Sequence, residues 1–191
     1  MEALLVLLSY LSGSVLSGEL LARLKGVDLR SVGSGNVGAT NVSRALGKKA
    51  GALVFLLDAL KGFIPVKLAA VLCGFNSWCT GLSALAAVLG HMYPVFFGFK
   101  GGKGVATAFG VLAALYPDAA ALSALVWLLV VKKTRYVSLG SLTATLSALL
   151  LLALKPAPPS HLFSFILITL LIFYKHMPNV QRLLEGKEHR V

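Results

Sequence analysis

The sequence predicts an all-α integral membrane protein, and three observations carry that prediction. Of 191 residues, 57% are hydrophobic and 13% are charged, too few charges to clothe a soluble domain of this size. The apolar residues fall into stretches at about 3–22, 50–74, 78–98, 104–131, 137–154 and 161–175, and a spanning helix takes about 20 such residues. The lysines and arginines gather in the segments between them, so that one side of a membrane would hold nearly all of them. No internal repeat is seen, and residues 1–191 read as one membrane-embedded domain.

The first stretch lacks a basic leader and is followed by Arg23 and Lys25. It reads as an uncleaved helix with its N-terminus outside. Ser9, Gly13 and Ser17, at four-residue spacing, form a close-packing face. In the second stretch Asp58 and Lys61 lie three apart, as a structural pair that shapes the site, and Lys67 snorkels outward. His91, in the third stretch near Tyr93-Pro94, is expected to be a packed residue. The fourth stretch contains Tyr116-Pro117-Asp118 and is either one kinked helix or two of about 13 residues each. Charge decides. With a break there, 15 of the 18 lysines and arginines lie on one side and only Lys155 clearly on the other. A single span would carry Lys132, Lys133, Arg135 and the basic C-terminus outside. The expectation is therefore seven transmembrane helices, two of them short, with the N-terminus outside and the C-terminus cytoplasmic. Cys73 and Cys79 fall at an external turn, where a reduced pair and a disulfide both remain open. The cysteines and scattered histidines lack metal-ligand spacing, and no metal is expected. Beyond the last stretch, Pro178 starts a short interfacial helix with Val180, Leu183 and Leu184 as its apolar stripe.

Two glycine-rich segments carry the chemistry. The first is Gly33-Ser34-Gly35-Asn36-Val37-Gly38-Ala39-Thr40-Asn41, followed by Arg44. The second is Lys100-Gly101-Gly102-Lys103-Gly104, at the start of an apolar helix. Bare backbone N–H groups with cations beside them hold phosphate. A dinucleotide fold is excluded because a transmembrane helix, not a strand, precedes the first segment. A Walker loop is excluded because glycine follows Lys103. Ser138 or Ser141, opening the helix expected at 137–154, could donate to a phosphate or cap and pack. His176 and Asn179 stand at the membrane boundary, where an anchoring role does not account for them. The net charge of +11 fits cytoplasmic loops and anionic substrates rather than nucleic acid.

Together these two segments and the tail from His176 to Glu188 resemble the PlsY family, the bacterial acyl-phosphate-dependent glycerol-3-phosphate acyltransferases, over essentially the whole chain. The resemblance implies transfer of a fatty acyl group from acyl phosphate to the 1-hydroxyl of glycerol 3-phosphate. The products would be lysophosphatidic acid and phosphate, in the first acylation of phospholipid synthesis at the cell inner membrane. The active site would face the cytoplasm. Partners are the two substrates and membrane lipid, without nucleic acid; no cofactor or metal is expected, and the chain is expected to be a monomer. Ser34, Gly35, Asn36, Gly38, Thr40 and Asn41 are assigned to phosphate binding, with Arg44 and Lys103 neutralising phosphate charge. Gly101, Gly102 and Gly104 would let the backbone approach, His176 and Asn179 would position glycerol 3-phosphate, and Ser141 would support the site. An organophosphate transporter shares the helices and cations but needs access from both sides. A His-x4-Asp acyltransferase does not fit, since no histidine here has an aspartate five residues later.

Overall fold

A computed structural model describes the whole chain, residues 1–191. Its helices are α1 (Glu2–Gly13), α2 (Ser17–Leu24), α3 (Ala39–Leu46), α4 (Lys48–Leu72), α5 (Trp78–Met92), α6 (Val105–Leu115), α7 (Pro117–Thr134), α8 (Val137–Ala153), α9 (Pro159–Lys175) and α10 (Met177–Leu184). A 3-10 turn at Val95–Phe97 is the other helical element, and there are no strands. The distribution of side chains is that of a protein dissolved in lipid. On α4, Leu53, Leu56, Leu60, Ile64 and Leu68 are exposed while Asp58 is buried. Water would penalise that arrangement, whereas a bilayer favours it.

Two segments, Glu2–Leu24 and Trp78–Phe97, are long and apolar enough to cross a membrane by themselves, and α9 with α10 forms a third if their 52° bend counts as one span. α6, α8 and α9 have 11, 17 and 17 residues, short of the roughly 20 that a straight span takes. The break between α1 and α2 is not left unsatisfied. The Lys61 ammonium donates to Val15 O at 2.6 Å, and Ser12 Oγ donates to Lys61 O at 3.0 Å.

Backbone approach holds the bundle together. A Cβ on Gly13 would sit 2.0 Å from Ala87 O, and one on Gly90 would sit 2.1 Å from Tyr10 O. α1 and α5 therefore touch main chain to main chain, as the Ser9–Gly13–Ser17 face implies. The chain does break at Tyr116, but unequally: α6 has 11 residues and α7 has 18. α7 is not one of two equal short helices, because it continues through Lys132, Lys133 and Thr134 before Arg135 stops it at φ 65°. Tyr116 OH pairs with His161 Nδ1 at 2.7 Å, fixing the break against α9. Cys73 and Cys79 are paired as a disulfide, with Cα atoms 6.3 Å apart. α6 packs closely on α4 and α7 on α8, while α6 and α8 barely meet. A cleft opens between those two.

Candidate active site

The first glycine-rich loop is shaped by its own amides. Asn41 Oδ1 accepts from Ser34 N at 2.9 Å, and Asn41 Nδ2 donates to Leu29 O and Val32 O, both at 3.0 Å. Asn36 Oδ1 accepts from Gly38 N at 2.8 Å. Gly33 turns at φ +56° against the Asn41 side chain, where a Cβ would lie 2.5 Å from Oδ1. Asn41 is thus a staple whose polar atoms are engaged with the loop. Ser34, Asn36, Gly38, Thr40, Asn41 and Arg44 line a common polar pocket. Gly35 lies behind that wall, packed toward Arg30 O.

The second loop is used differently from the sequence expectation. Gly101 N donates to Met92 O at 3.2 Å and Gly102 N donates to His91 O at 3.0 Å. These amides satisfy carbonyls at the end of α5, which otherwise lack partners, so they are turned away from the pocket. Lys103 and Gly104 do line it. Gly104, at φ +83°, is the N-cap of α6. The first-turn residues Val105 and Ala106 border the same pocket as Ala39 and Thr40 at the start of α3. Two helix N-termini, each with partial positive charge and unpaired first-turn amides, therefore converge there. Arg30 Nη2 donates to Lys100 O at 3.0 Å and ties the two loops together.

The C-terminal segment completes the wall. Lys103 Nζ donates to Asn179 Oδ1, and Asn179 Nδ2 donates to Glu188 Oε1 at 2.7 Å. Glu188 also accepts from Ser138 Oγ at 2.9 Å and from Arg182 Nε at 2.7 Å. Burial would raise the Glu188 carboxyl, but those three hydrogen bonds outweigh it and hold its pKa below the usual range. Burial lowers Lys103 to about 8, against the pull of Glu188 and with the repulsion of Arg182 and Arg44. Its ammonium is kept at neutral pH while remaining sensitive to alkali. His176 pairs through Nδ1 with Ile172 O at 2.8 Å. A carbonyl only accepts, so Nδ1 carries the proton and Nε2 offers a lone pair. Burial, then the Lys103 charge, pushes His176 down to about 4, which keeps the ring neutral. Ser141 lines the pocket, but its hydroxyl is spent on Val137 O at 2.9 Å.

Sequence reasoning missed Glu188 and Arg182 as a hub of the site. Asp58 and His91 are buried, and both also border the polar pocket. That pocket has a volume of about 140 Å³. Beside it, in the cleft between α6 and α8, runs an apolar groove of about 940 Å³ walled by Phe109, Leu112, Ala148, Phe165 and Ile168. Thr40, Arg44, Phe55, Val105, Trp127 and Val137 belong to both cavities. The polar pocket thus opens directly into the apolar groove.

Residues 3–186 match the family model described as glycerol-3-phosphate acyltransferase. The chain belongs to that family. It is 60% identical over 191 residues, covering 100% of both chains, to the glycerol-3-phosphate acyltransferase of Aquifex aeolicus. It is 48% identical to that of Thermus thermophilus, covering 97% of this chain and 93% of the relative. Among solved structures, it is similar to the crystal structure of PlsY, an integral membrane glycerol 3-phosphate acyltransferase, in its glycerol 3-phosphate form. The TM-score is 0.98 and the identity 59%, covering 100% of this chain and 95% of that one. The lysophosphatidic acid form of PlsY matches at a TM-score of 0.94 and 58% identity, over 99% and 94% of the two chains. Family membership and the integral membrane fold therefore agree with the bipartite site of this acyltransferase.

Proposed function

We propose that this acyltransferase moves a fatty acyl group from acyl phosphate to the 1-hydroxyl of glycerol 3-phosphate, releasing lysophosphatidic acid and inorganic phosphate. The single observation that carries the reading is the wall shared by the polar pocket and the apolar groove. The acyl tail lies in the groove, its phosphate and that of the acceptor lie among Ser34, Thr40, Arg44 and Lys103, and the reacting carbonyl sits where the two cavities meet. The hydroxyl oxygen of glycerol 3-phosphate attacks that carbonyl, a new ester C–O bond forms, and the C–O bond to phosphate breaks with its electron pair leaving on phosphate. Lys103, Arg44 and the two helix N-termini stabilise the charge that moves onto the leaving group.

The hydroxyl proton goes to His176 Nε2 or to a substrate phosphate oxygen. The neutral tautomer of His176 suits it to accept and orient the hydroxyl. Its pKa of about 4 makes it a weaker proton acceptor than a phosphate dianion, whose conjugate acid has a pKa of about 6. The phosphate route is therefore favoured. The reading has the chain crossing the cytoplasmic membrane seven times as a monomer, N-terminus outside, with the pocket on the basic cytoplasmic face. A transporter would need a second opening, whereas the cations gather at one end.

Purified protein given labelled glycerol 3-phosphate and palmitoyl phosphate is expected to form labelled lysophosphatidic acid without added metal or nucleotide. Equal turnover with palmitoyl-CoA in place of palmitoyl phosphate would overturn the donor assignment.

A further inference from the structure

A buried polar cluster lies behind the phosphate pocket, and the reaction as derived above makes no use of it. Lys61 Nζ is 2.8 Å from Asp58 Oδ1, 2.6 Å from Val15 O and 2.9 Å from His91 Nδ1. An ammonium has three donors and no acceptor, so all three are committed, each to a different partner. Ser17 Oγ adds a bond to Asp58 Oδ1 at 2.6 Å. Because Lys61 only donates, His91 Nδ1 accepts, and a neutral ring then carries its proton on Nε2. This fixes both tautomer and orientation.

The locked ring faces the second glycine-rich loop. A Cβ on Gly102 would lie 2.2 Å from His91 Nε2, and one on Gly101 would lie 2.0 Å from His91 O. The same carbonyl accepts from Gly102 N at 3.0 Å. One residue of α5 thus contacts the loop through both its side chain and its main chain, immediately before Lys103. We propose that His91 is a positioning residue for acyl transfer: held by the Asp58–Lys61 pair, it sets the path of Gly101 and Gly102 and so the place of the Lys103 ammonium. The absence of side chains at 101 and 102 is required by this contact rather than by phosphate. The cluster also links the α1–α2 break to the site, since Lys61 bonds Val15 O and His91 together.

The inference rests on Lys103 acting on the reacting phosphate. A displacement of about 1 Å at such a group costs about 100-fold in rate, and its effect appears in kcat rather than in substrate binding. His91→Ala is expected to lower kcat by about 10- to 100-fold with both KM values little changed, in a protein that still unfolds cooperatively in detergent at a lowered thermal midpoint, since Lys61 loses a partner. His91→Gln, whose amide can accept from Lys61 and still donate, is expected to recover part of the loss. The decisive measurement is the cycle with Lys103→Ala: the double variant should be no slower than Lys103→Ala alone, since the two residues act as one unit. If His91→Ala does not fold, Gly102→Ala serves instead, since its methyl meets the ring and should give the same fall in kcat. Wild-type kcat in the folded variant, or losses that multiply in the double variant, would overturn the positioning role while leaving the acyltransferase reading intact. A Lys103→Ala enzyme as fast as wild type would overturn both.

Discussion

In the proposed mechanism Lys103 is the residue on which the chemistry turns, because it is both largely buried and the neighbour of a glycine-capped helix start. Its removal, or that of Arg44, is expected to leave a folded protein whose kcat falls about 10²- to 10³-fold, equivalent to about 2.7–4 kcal/mol of lost transition-state stabilisation. Turnover assays on Lys103→Ala and Arg44→Ala check this, and near-normal rates in both would remove the proposed site. The Lys103 pKa of about 8 adds a pH signature with a definite sign. The ammonium is the active form, so kcat/KM should fall as pH rises through about 8. The kcat profile should turn down at higher pH, because a bound phosphate dianion raises the ammonium pKa. His176, at about 4, stays neutral across that range and contributes no limb there. Ser34 in its glycine turn invites an acyl-serine route, but an activated donor has little need of one. Mass spectrometry after incubation with acyl phosphate alone should find no acylated protein. Lys103 and Arg44 were legible in the sequence, since cations beside glycines have few other uses in so apolar a chain. Glu188 was not. An acid beside Glu185 and among Lys187, Arg182 and Arg190 reads as a solvated counter-charge, and only the folded tail brings it to Ser138 and Asn179.

The helices set what can be read at the next scale. The start of α6 at Gly104 and the break at Tyr116 follow from local chemistry, and both were visible in the residues. The use of Gly101 and Gly102 was not visible, because their amide partners belong to the end of α5, an acceptor pair that becomes available only when that helix stops at Met92. Likewise, Asp58 and Lys61 announced themselves by i, i+3 spacing, while their partners come from elsewhere in the chain, Val15 from the α1–α2 break and His91 from α5. The cleft between α6 and α8 is a property of packing with no sequence motif at all. It offers a direct test of the acyl groove. Ala148 lies on α8 two turns beyond Ser141, about 10 Å deeper at 1.5 Å per residue, and it lines the groove against Phe165. Ala148→Phe should shorten the groove, so turnover of palmitoyl phosphate falls at least tenfold, or about 1.4 kcal/mol, while octanoyl phosphate is still used. Competition assays with the two donors check this. An equal loss for both chain lengths, with the fold retained, would place the acyl tail elsewhere.

At the scale of the whole molecule, one asymmetry organises the proposed topology: with seven spans, 15 of 18 lysines and arginines would fall on a single face, the face of the polar pocket. Cations placed there would meet two needs at once, retaining the loops on the cytoplasmic side and drawing anionic substrates to the site. The opposite face carries the Cys73–Cys79 disulfide and the Lys155–Asp118 ion pair. A disulfide persists in an oxidising compartment, so the bond and the charge asymmetry point the same way. They do so independently, since one is a matter of covalent chemistry and the other of insertion. The orientation then depends on the break at Tyr116. If α6 and α7 together made one span, Lys132, Lys133 and the whole C-terminal segment, including His176 and Glu188, would leave the face that holds Ser34 and Arg44. The polar pocket could not then form, because Lys103 and Asn179 bond across it. Single cysteines introduced into a Cys73→Ser, Cys79→Ser background therefore give a sharp outcome in whole cells. Probes that do not cross the membrane should label Lys155→Cys and Asp118→Cys from outside and should reach Lys133→Cys only after the membrane is opened. External labelling at residue 133 would contradict the seven-span arrangement and, with it, the cytoplasmic site.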